Sequence, residues 1–173
     1  MLSKGKSLLS SSSNLPSFAS VIATFKITTP VTSIDIINEL SSEFDHYLIK
    51  GSNLINGGNL IHMRFYMDNE LKTTSNYNYS YASTSVFSAQ TSTQFIISSG
   101  ATSDSGIGFT ADIINANGLG QDITVVARGK TISINAGRYT TADSAKLTGI
   151  QIFSTSGEAF SGGEITLFGV NKI

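Results

Sequence analysis

Residues 44–68 read FDHYLIKGSNLINGGNLIHMRFYMD, two patterned runs separated by a Gly/Asn-rich connection. In the second run Ile61, Met63, Phe65 and Met67 fall on one face of an extended chain, and His62, Arg64, Tyr66 and Asp68 fall on the other. Period-two alternation of this kind is the mark of a half-buried strand. Asp45 to Lys50 alternates less cleanly. Between the runs stand Gly51-Ser52-Asn53 and Asn56-Gly57-Gly58-Asn59, residue types that accept positive φ at little cost. The stretch therefore predicts two antiparallel strands forming a hairpin. A lone hairpin is not stable in water, so the rest of the chain must supply a second layer to cover its apolar face.

Working outward, the remaining sequence repeats the same kind of signal. Phe25 to Thr29 and Val31 to Ile37 are expected as two short strands or one bent strand, with Pro30, which cannot donate to a ladder, at the break. Asn38 to Ser42 is read as a single helical turn, and Leu71 to Ser75 as a polar connection. Strands follow at Asn76 to Tyr81, Gln94 to Ser98 and Ile107 to Ile113. Ser83 to Thr93 is either a long loop or an edge strand. Ile123 to Arg128 and Thr131 to Ile134 are expected to pair across Gly129-Lys130, with Gly137 to Ala145 a polar connection. Leu147 to Phe153 and Glu164 to Val170 are expected to close the chain as a last antiparallel pair. About ten or eleven strands with almost no helical period predict an all-β fold, an antiparallel β-sandwich of the jelly-roll kind.

Residues 1–24 carry no sustained period and are Ser-rich, yet Leu8, Leu9, Leu15 and Phe18 are more apolar than a solvated tail requires. They read either as a disordered tail or as an anchoring arm that orders on a partner; the reading taken is an extended N-terminal anchoring arm, with residues 25–173 as the sandwich domain. Four consecutive serines interrupt the apolar run that a signal peptide would need. No apolar run reaches the ~18 residues of a membrane helix.

The 173 residues contain no Cys, and only 13% are charged, with a formal net charge of -1. Disulfides, zinc-thiolate sites and thiol catalysis are excluded. The eleven Lys and Arg are scattered, which argues against phosphate neutralisation along a nucleic acid. Of the two histidines, His46 and His62, the predicted hairpin register places one several rungs from the other. A nucleophilic triad or a shared metal is therefore not expected. No pair of carboxylates is marked out by an apolar setting, and Gly118-Leu119-Gly120 precedes a strand where a phosphate cradle would need a helix. The expectation is a protein that is not an enzyme, with no cofactor, no metal, and neither nucleic acid nor membrane as partner.

Two surfaces are candidates for contact. His62, Arg64 and Tyr66 share a polar strand face suited to a subunit interface. Tyr77, Tyr79 and Tyr81 share another strand face. They either pack across strands with bonded hydroxyls or form a ledge that meets a glycan or a partner.

Three segments together resemble virion structural proteins of tailed bacteriophages, a group of tail-fibre, receptor-binding and capsid-associated proteins. They are Phe44-Asp45-His46-Tyr47-Leu48-Ile49 leading into Leu60 to Asp68 with Arg64, then Tyr77-Asn78-Tyr79, then the closing run from Phe160 to Gly169, FSGGEITLFG. The likeness covers residues 44–170. One departure is Asp68-Asn69-Glu70, where many relatives place a glycine-rich turn. The resemblance implies a jelly-roll body, a homotrimer, other capsid or tail proteins as partners, and residence in a virion assembled in the host cytoplasm. The role expected is a decoration or fibre-like component attached through the arm. The alternative is a module that binds a host surface glycan through the tyrosines or through the loops 115–120 and 154–163, and a polysaccharide hydrolase ranks behind both.

Overall fold

The computed structural model describes residues 2–5, 18–83, 86–98, 106–117, 121–129, 134–140, 145–155 and 157–170. Among these residues there are fourteen strands and no helix. They are β1 (Leu2–Gly5), β2 (Ala19–Ile27), β3 (Ser33–Ile37), β4 (His46–Ile55), β5 (Ile61–Met67), β6 (Glu70–Leu71) and β7 (Tyr77–Ser83). The rest are β8 (Val86–Ser92), β9 (Phe95–Ser98), β10 (Ile107–Ile114), β11 (Ile123–Gly129), β12 (Ile134–Tyr139), β13 (Leu147–Ser154) and β14 (Gly162–Val170). One sheet has nine strands in the order β1-β2-β14-β4-β10-β11-β12-β7-β8. The other runs β3-β13-β5-β6, with β9 also on β5. Every pairing is antiparallel. The two sheets share one core, to which the large sheet gives Tyr47, Ile49, Ala111, Ile113 and Leu167, and the small sheet Ile34, Ile36, Met63, Phe65 and Ile152. The expected class, an all-β antiparallel sandwich, holds.

The predicted hairpin does not. β4 lies in the large sheet between β14 and β10, and β5 lies in the small sheet between β13 and β9. The connection 56–60 carries the chain from one layer to the other, with Gly57 at φ 67 and Gly58 at φ 93. Buried Asn56 steadies it by donating from Nδ2 to the Asn59 carbonyl at 2.8 Å. Alternation reports that a strand has one apolar face, and that face is covered equally well by a strand lying opposite it. Phe65 thus packs across the core on Tyr139 and Tyr77 of the large sheet, with ring centres 5.6 and 6.0 Å away.

The same correction applies to the C-terminus. β13 pairs with β3 and β5, while β14 pairs with β2 and β4, so the last two strands also sit in opposite sheets. Between them Phe160 is fully buried and exchanges two backbone hydrogen bonds with Val31, at 3.1 and 2.7 Å.

Local expectations differ in detail. Asn38 stands at φ 63 and begins no helical turn. Glu70–Leu71 is a short strand, and the tight turn before it uses Asp68 at φ 51 and Asn69 at φ 66. Both central residues of a two-residue hairpin need positive φ, which Asp and Asn tolerate, so this pair does the work of glycines. Within the stretch Ser83 to Thr93, Val86–Ser92 forms an edge strand, since β8 pairs only with β7 among the described residues. Part of the expected connection 137–145 belongs to β12, where Tyr139 is buried. The boundary expected after residue 24 falls inside β2, and Leu2–Gly5 pairs with Thr24 to Ile27 in the same sheet. Leu8, Leu9 and Leu15 lie outside the described residues.

Candidate functional site

Among the described residues, the outer face of the small sheet carries the most connected polar cluster. Gln151 on β13 stands in register with Asp35 on β3 and with Arg64 on β5, which makes one row across three strands. Asp35 accepts three hydrogen bonds: from Ser33 Oγ at 2.8 Å, Tyr66 Oη at 2.7 Å and Gln151 Nε2 at 2.8 Å. Arg64 donates from Nη2 to Gln94 Oε1 at 2.7 Å and from Nε to the Thr93 carbonyl at 3.2 Å. Its guanidinium carbon lies 4.4 Å from the Phe153 ring centre, within cation–π range. Burial first, and then the bond to the Asp35 carboxylate, push the Tyr66 phenol up to about 12. At neutral pH Tyr66 is therefore a hydrogen-bond donor.

His62 completes this face differently. It is 4% exposed, and neither ring nitrogen has a hydrogen-bond partner. Its ring lies 5.7 Å from that of Phe153 at 38°. Desolvation, and then the positive charge of Arg64, lower its pKa to about 4, so the ring is neutral near pH 7. The three residues expected to form a polar subunit interface are thus one buried ring and two side chains already bonded within the protomer.

Sequence reasoning found Arg64 and Tyr66 but missed Asp35, Gln94 and Gln151. A signal was present. Ile34-Asp35-Ile36 and Ile150-Gln151-Ile152 each set one polar residue between two fully buried isoleucines, so both polar side chains point out of the sandwich.

The tyrosine ledge is corrected. Tyr77 is fully buried and Tyr79 is 6% exposed, both facing the core. The Tyr77 ring centre lies 4.7 Å from that of Tyr139 and 5.0 Å from that of Phe95. Its hydroxyl accepts from the Phe65 N–H and donates to the Lys72 carbonyl, each at 2.9 Å. Neither ring is placed to stack on a sugar, and the Tyr81 side chain lies outside the described residues. In the loop that begins at Asn115, the Asn117 N–H donates to Asp45 Oδ1 at 2.8 Å and its Nδ2 to the Phe44 carbonyl, so Asn117 is tied inward.

The two histidines are on opposite outer faces. His46 lies on β4 of the large sheet, with Nε2 at 2.9 Å from Asp112 Oδ1, and His62 lies on the small sheet. They are separated by the thickness of the sandwich and share no site.

The outer face of the large sheet is broad and mixed. Val21, Phe168, Leu48, Asp112, Val126, Ala136 and Ser80 form one row across seven strands. Its first three members make an apolar stripe, and in the adjoining row Val170 and Ile114 stand on either side of His46. Val21 is 38% exposed, Ile114 37%, and Phe18 beside the start of β2 is 74% exposed. A second row, Thr24, Thr166, Lys50, Thr110 and Arg128, runs parallel to it.

No family model matches the chain, and no curated protein matches it. The marine PL-14 alginate lyase from Aplysia kurodai is similar in structure at 13% identity and a TM-score of 0.29, over 86% of this chain and 73% of that one. That neighbour is an enzyme, and the expectation from sequence that this chain is not one is withdrawn on that finding. A TM-score of 0.29 passes neither its activity nor its substrate to this chain.

Proposed function

We propose that the chain is a virion structural protein, a decoration or fibre-like component built on a jelly-roll body, assembled as a homotrimer and attached to a capsid or tail through its N-terminal segment. The observation that supports this reading is the apolar stripe on the outer face of the large sheet, from Val21 through Phe168 and Leu48 to Ile114. Val21 and Ile114 are exposed at its two ends and Phe168 and Leu48 between them are half-buried, so the stripe offers an apolar strip on which another surface can pack. This stripe is a better subunit contact than the face of His62, Arg64 and Tyr66, whose groups are already buried or bonded to one another. Joining three copies makes the weak attachment of each N-terminal segment multivalent. The resemblance of residues 44–170 to phage virion proteins points the same way.

The test is the solution mass of the full chain by sedimentation, followed by mixing with particles that lack it. The reading expects a trimer that binds particles, and an Ile114→Asp, Leu48→Asp variant that stays folded but is monomeric. A wild-type chain that is monomeric at tens of micromolar and leaves particles undecorated overturns it. The alternative role of host-glycan binding loses Tyr77 and Tyr79 as contacts and needs a different surface.

A further inference from the structure

β4 is irregular at Ser52 and Asn53. Its register against β10 shifts between Ile107 and Phe109, and its register against β14 shifts between Gly162 and Glu164, so the bulge is felt on both sides of the strand. Asn53 sits at φ 53, and two glycines close on its backbone. A Cβ at Gly106 would lie 2.4 Å from the Asn53 Cα, and one at Gly163, itself at φ 104, would lie 2.5 Å from the Asn53 carbonyl oxygen. Neither position has room for a side chain, so the bulge is held by close backbone packing.

Beside this bulge the outer face of the large sheet dips into an open recess of about 550 Å³. Its polar lining is Lys50, Ser52, Asn53, Thr110 and Arg128, and exposed Gly108 leaves part of the floor without a side chain. Thr110 is in register with Lys50 on one side and with Arg128 on the other. The two cations therefore flank it, with about 10 Å between their backbones, and their long side chains can converge over one small group. Ion pairs elsewhere on the described surface join His46 to Asp112, Lys72 to Glu70 and Arg138 to Asp122. Lys50 and Arg128 enter none of these. Glu164 stands opposite Ser52 on β14, the side away from Arg128.

We propose that this recess binds an acidic saccharide. The carboxylate of a uronate unit lies over Thr110 between the Lys50 ammonium and the Arg128 guanidinium, which can grip it with two parallel N–H bonds. Ser52, Thr110 and Asn53 meet the sugar hydroxyls, and the bare floor at Gly108 lets the ring approach the backbone. A nucleic acid is a poor fit, because phosphate tracking needs more cations than two and the chain as a whole carries -1. The inference is independent of the particle reading and survives its failure.

The test is a titration of the folded full chain, followed by amide NMR at low salt, with tetragalacturonate and with neutral maltotetraose of equal length. Saturable shifts are expected at Lys50, Ser52, Thr110 and Arg128 with the acidic chain alone, at a Kd on the order of 1 mM. Lys50→Ala and Arg128→Ala should each weaken binding by about tenfold, and Gly108→Thr, which fills the floor while keeping both charges, should weaken it as well. Equal binding of the neutral chain, shifts elsewhere on the surface, or full affinity in Gly108→Thr overturns the proposal. So does inorganic sulfate binding as tightly at the same residues, since that reduces the recess to a simple anion site.

Discussion

Tyr66 and Asp35 lie on strands that do not pair, and the 2.7 Å hydrogen bond between them crosses the width of β13. The crossing depends on Gly149, which stands in register with Tyr66 on the strand between. A Cβ there would come within 3.2 Å of the Tyr66 ring and 2.8 Å of the Ile36 carbonyl oxygen. Without it the ring leans over β13 and its hydroxyl reaches β3. One missing methyl group thus ties three strands together on their outer face.

Replacing Tyr66 by Phe removes this tie and leaves Asp35 with two donors, Ser33 and Gln151. The expected loss is about 1 kcal/mol, because Asp35 is only half-buried and water replaces part of the bond. Urea unfolding at pH 7 measures it. Alkaline absorbance titration supplies a second readout: Tyr66 should ionise at about 12 in the wild type, and Asp35→Asn should bring that transition down by removing the carboxylate charge.

The faces of this fold were legible in the sequence, and its partners were not. Met63, Phe65 and Met67 point inward and Arg64 and Tyr66 outward, as alternation in residues 61–68 requires. Yet the same pattern fits a hairpin with β4 and the observed packing across from it. What decides between them is the pairing of β5 with Leu147 to Ser154, some eighty residues away, which no local pattern encodes. The Tyr77-Asn78-Tyr79 run shows the same limit. Its period gives a strand, but only Phe95 on β9 across the core and Tyr139 on β12 beside it decide that the rings are core. The Asp35 cluster joins residues far apart in the chain and was visible only as isolated polar positions between isoleucines.

Glycine substitutions should separate close packing from backbone conformation. A Cβ at Gly137 would lie 2.6 Å from Tyr79 Cβ, 2.7 Å from the Phe95 ring and 2.8 Å from the Asn78 carbonyl oxygen. Backbone and core aromatics cannot all retreat, so Gly137→Ala should cost about 2–3 kcal/mol. Gly157 has nothing within 4 Å of such an atom, and only its φ of 71 opposes a side chain. Gly157→Ala should therefore cost about 1 kcal/mol, and Gly157→Asn less, since Asn tolerates this region. Thermal unfolding of the three variants checks the order. Equal losses at 137 and 157 would mean that the space beneath Gly137 is not filled by Tyr79 and Phe95.

The buried imidazole of His62 sets a pH dependence whose sign follows from its surroundings. From its own strand the charge that acts on it is Arg64, from β13 it meets Phe153, and on β9 its register partner is Ile96, so no carboxylate among these neighbours would stabilise a proton on the ring. Its pKa of about 4 in the folded chain lies below the roughly 6.5 of an unfolded chain. Above pH ~6.5 the ring is neutral in both states and stability does not depend on it. Between ~6.5 and ~4 the unfolded chain binds a proton that the folded chain refuses, so stability falls as pH falls, by about 1.4 kcal/mol per unit at most. The total is on the order of 3 kcal/mol. His62→Leu removes the titration and also removes two ring nitrogens that lack partners, so it should match or exceed the wild type at pH 7.5. Its advantage should then widen steadily towards pH 4.5, with carboxylate titrations common to both proteins cancelling in the difference. Urea unfolding of the pair at pH 7.5, 5.5 and 4.5 gives that difference directly. A gap that stays constant across the three would mean that the ring accepts its proton as readily in the folded protein as in the unfolded chain, which the packing of Phe153 and Arg64 around it forbids.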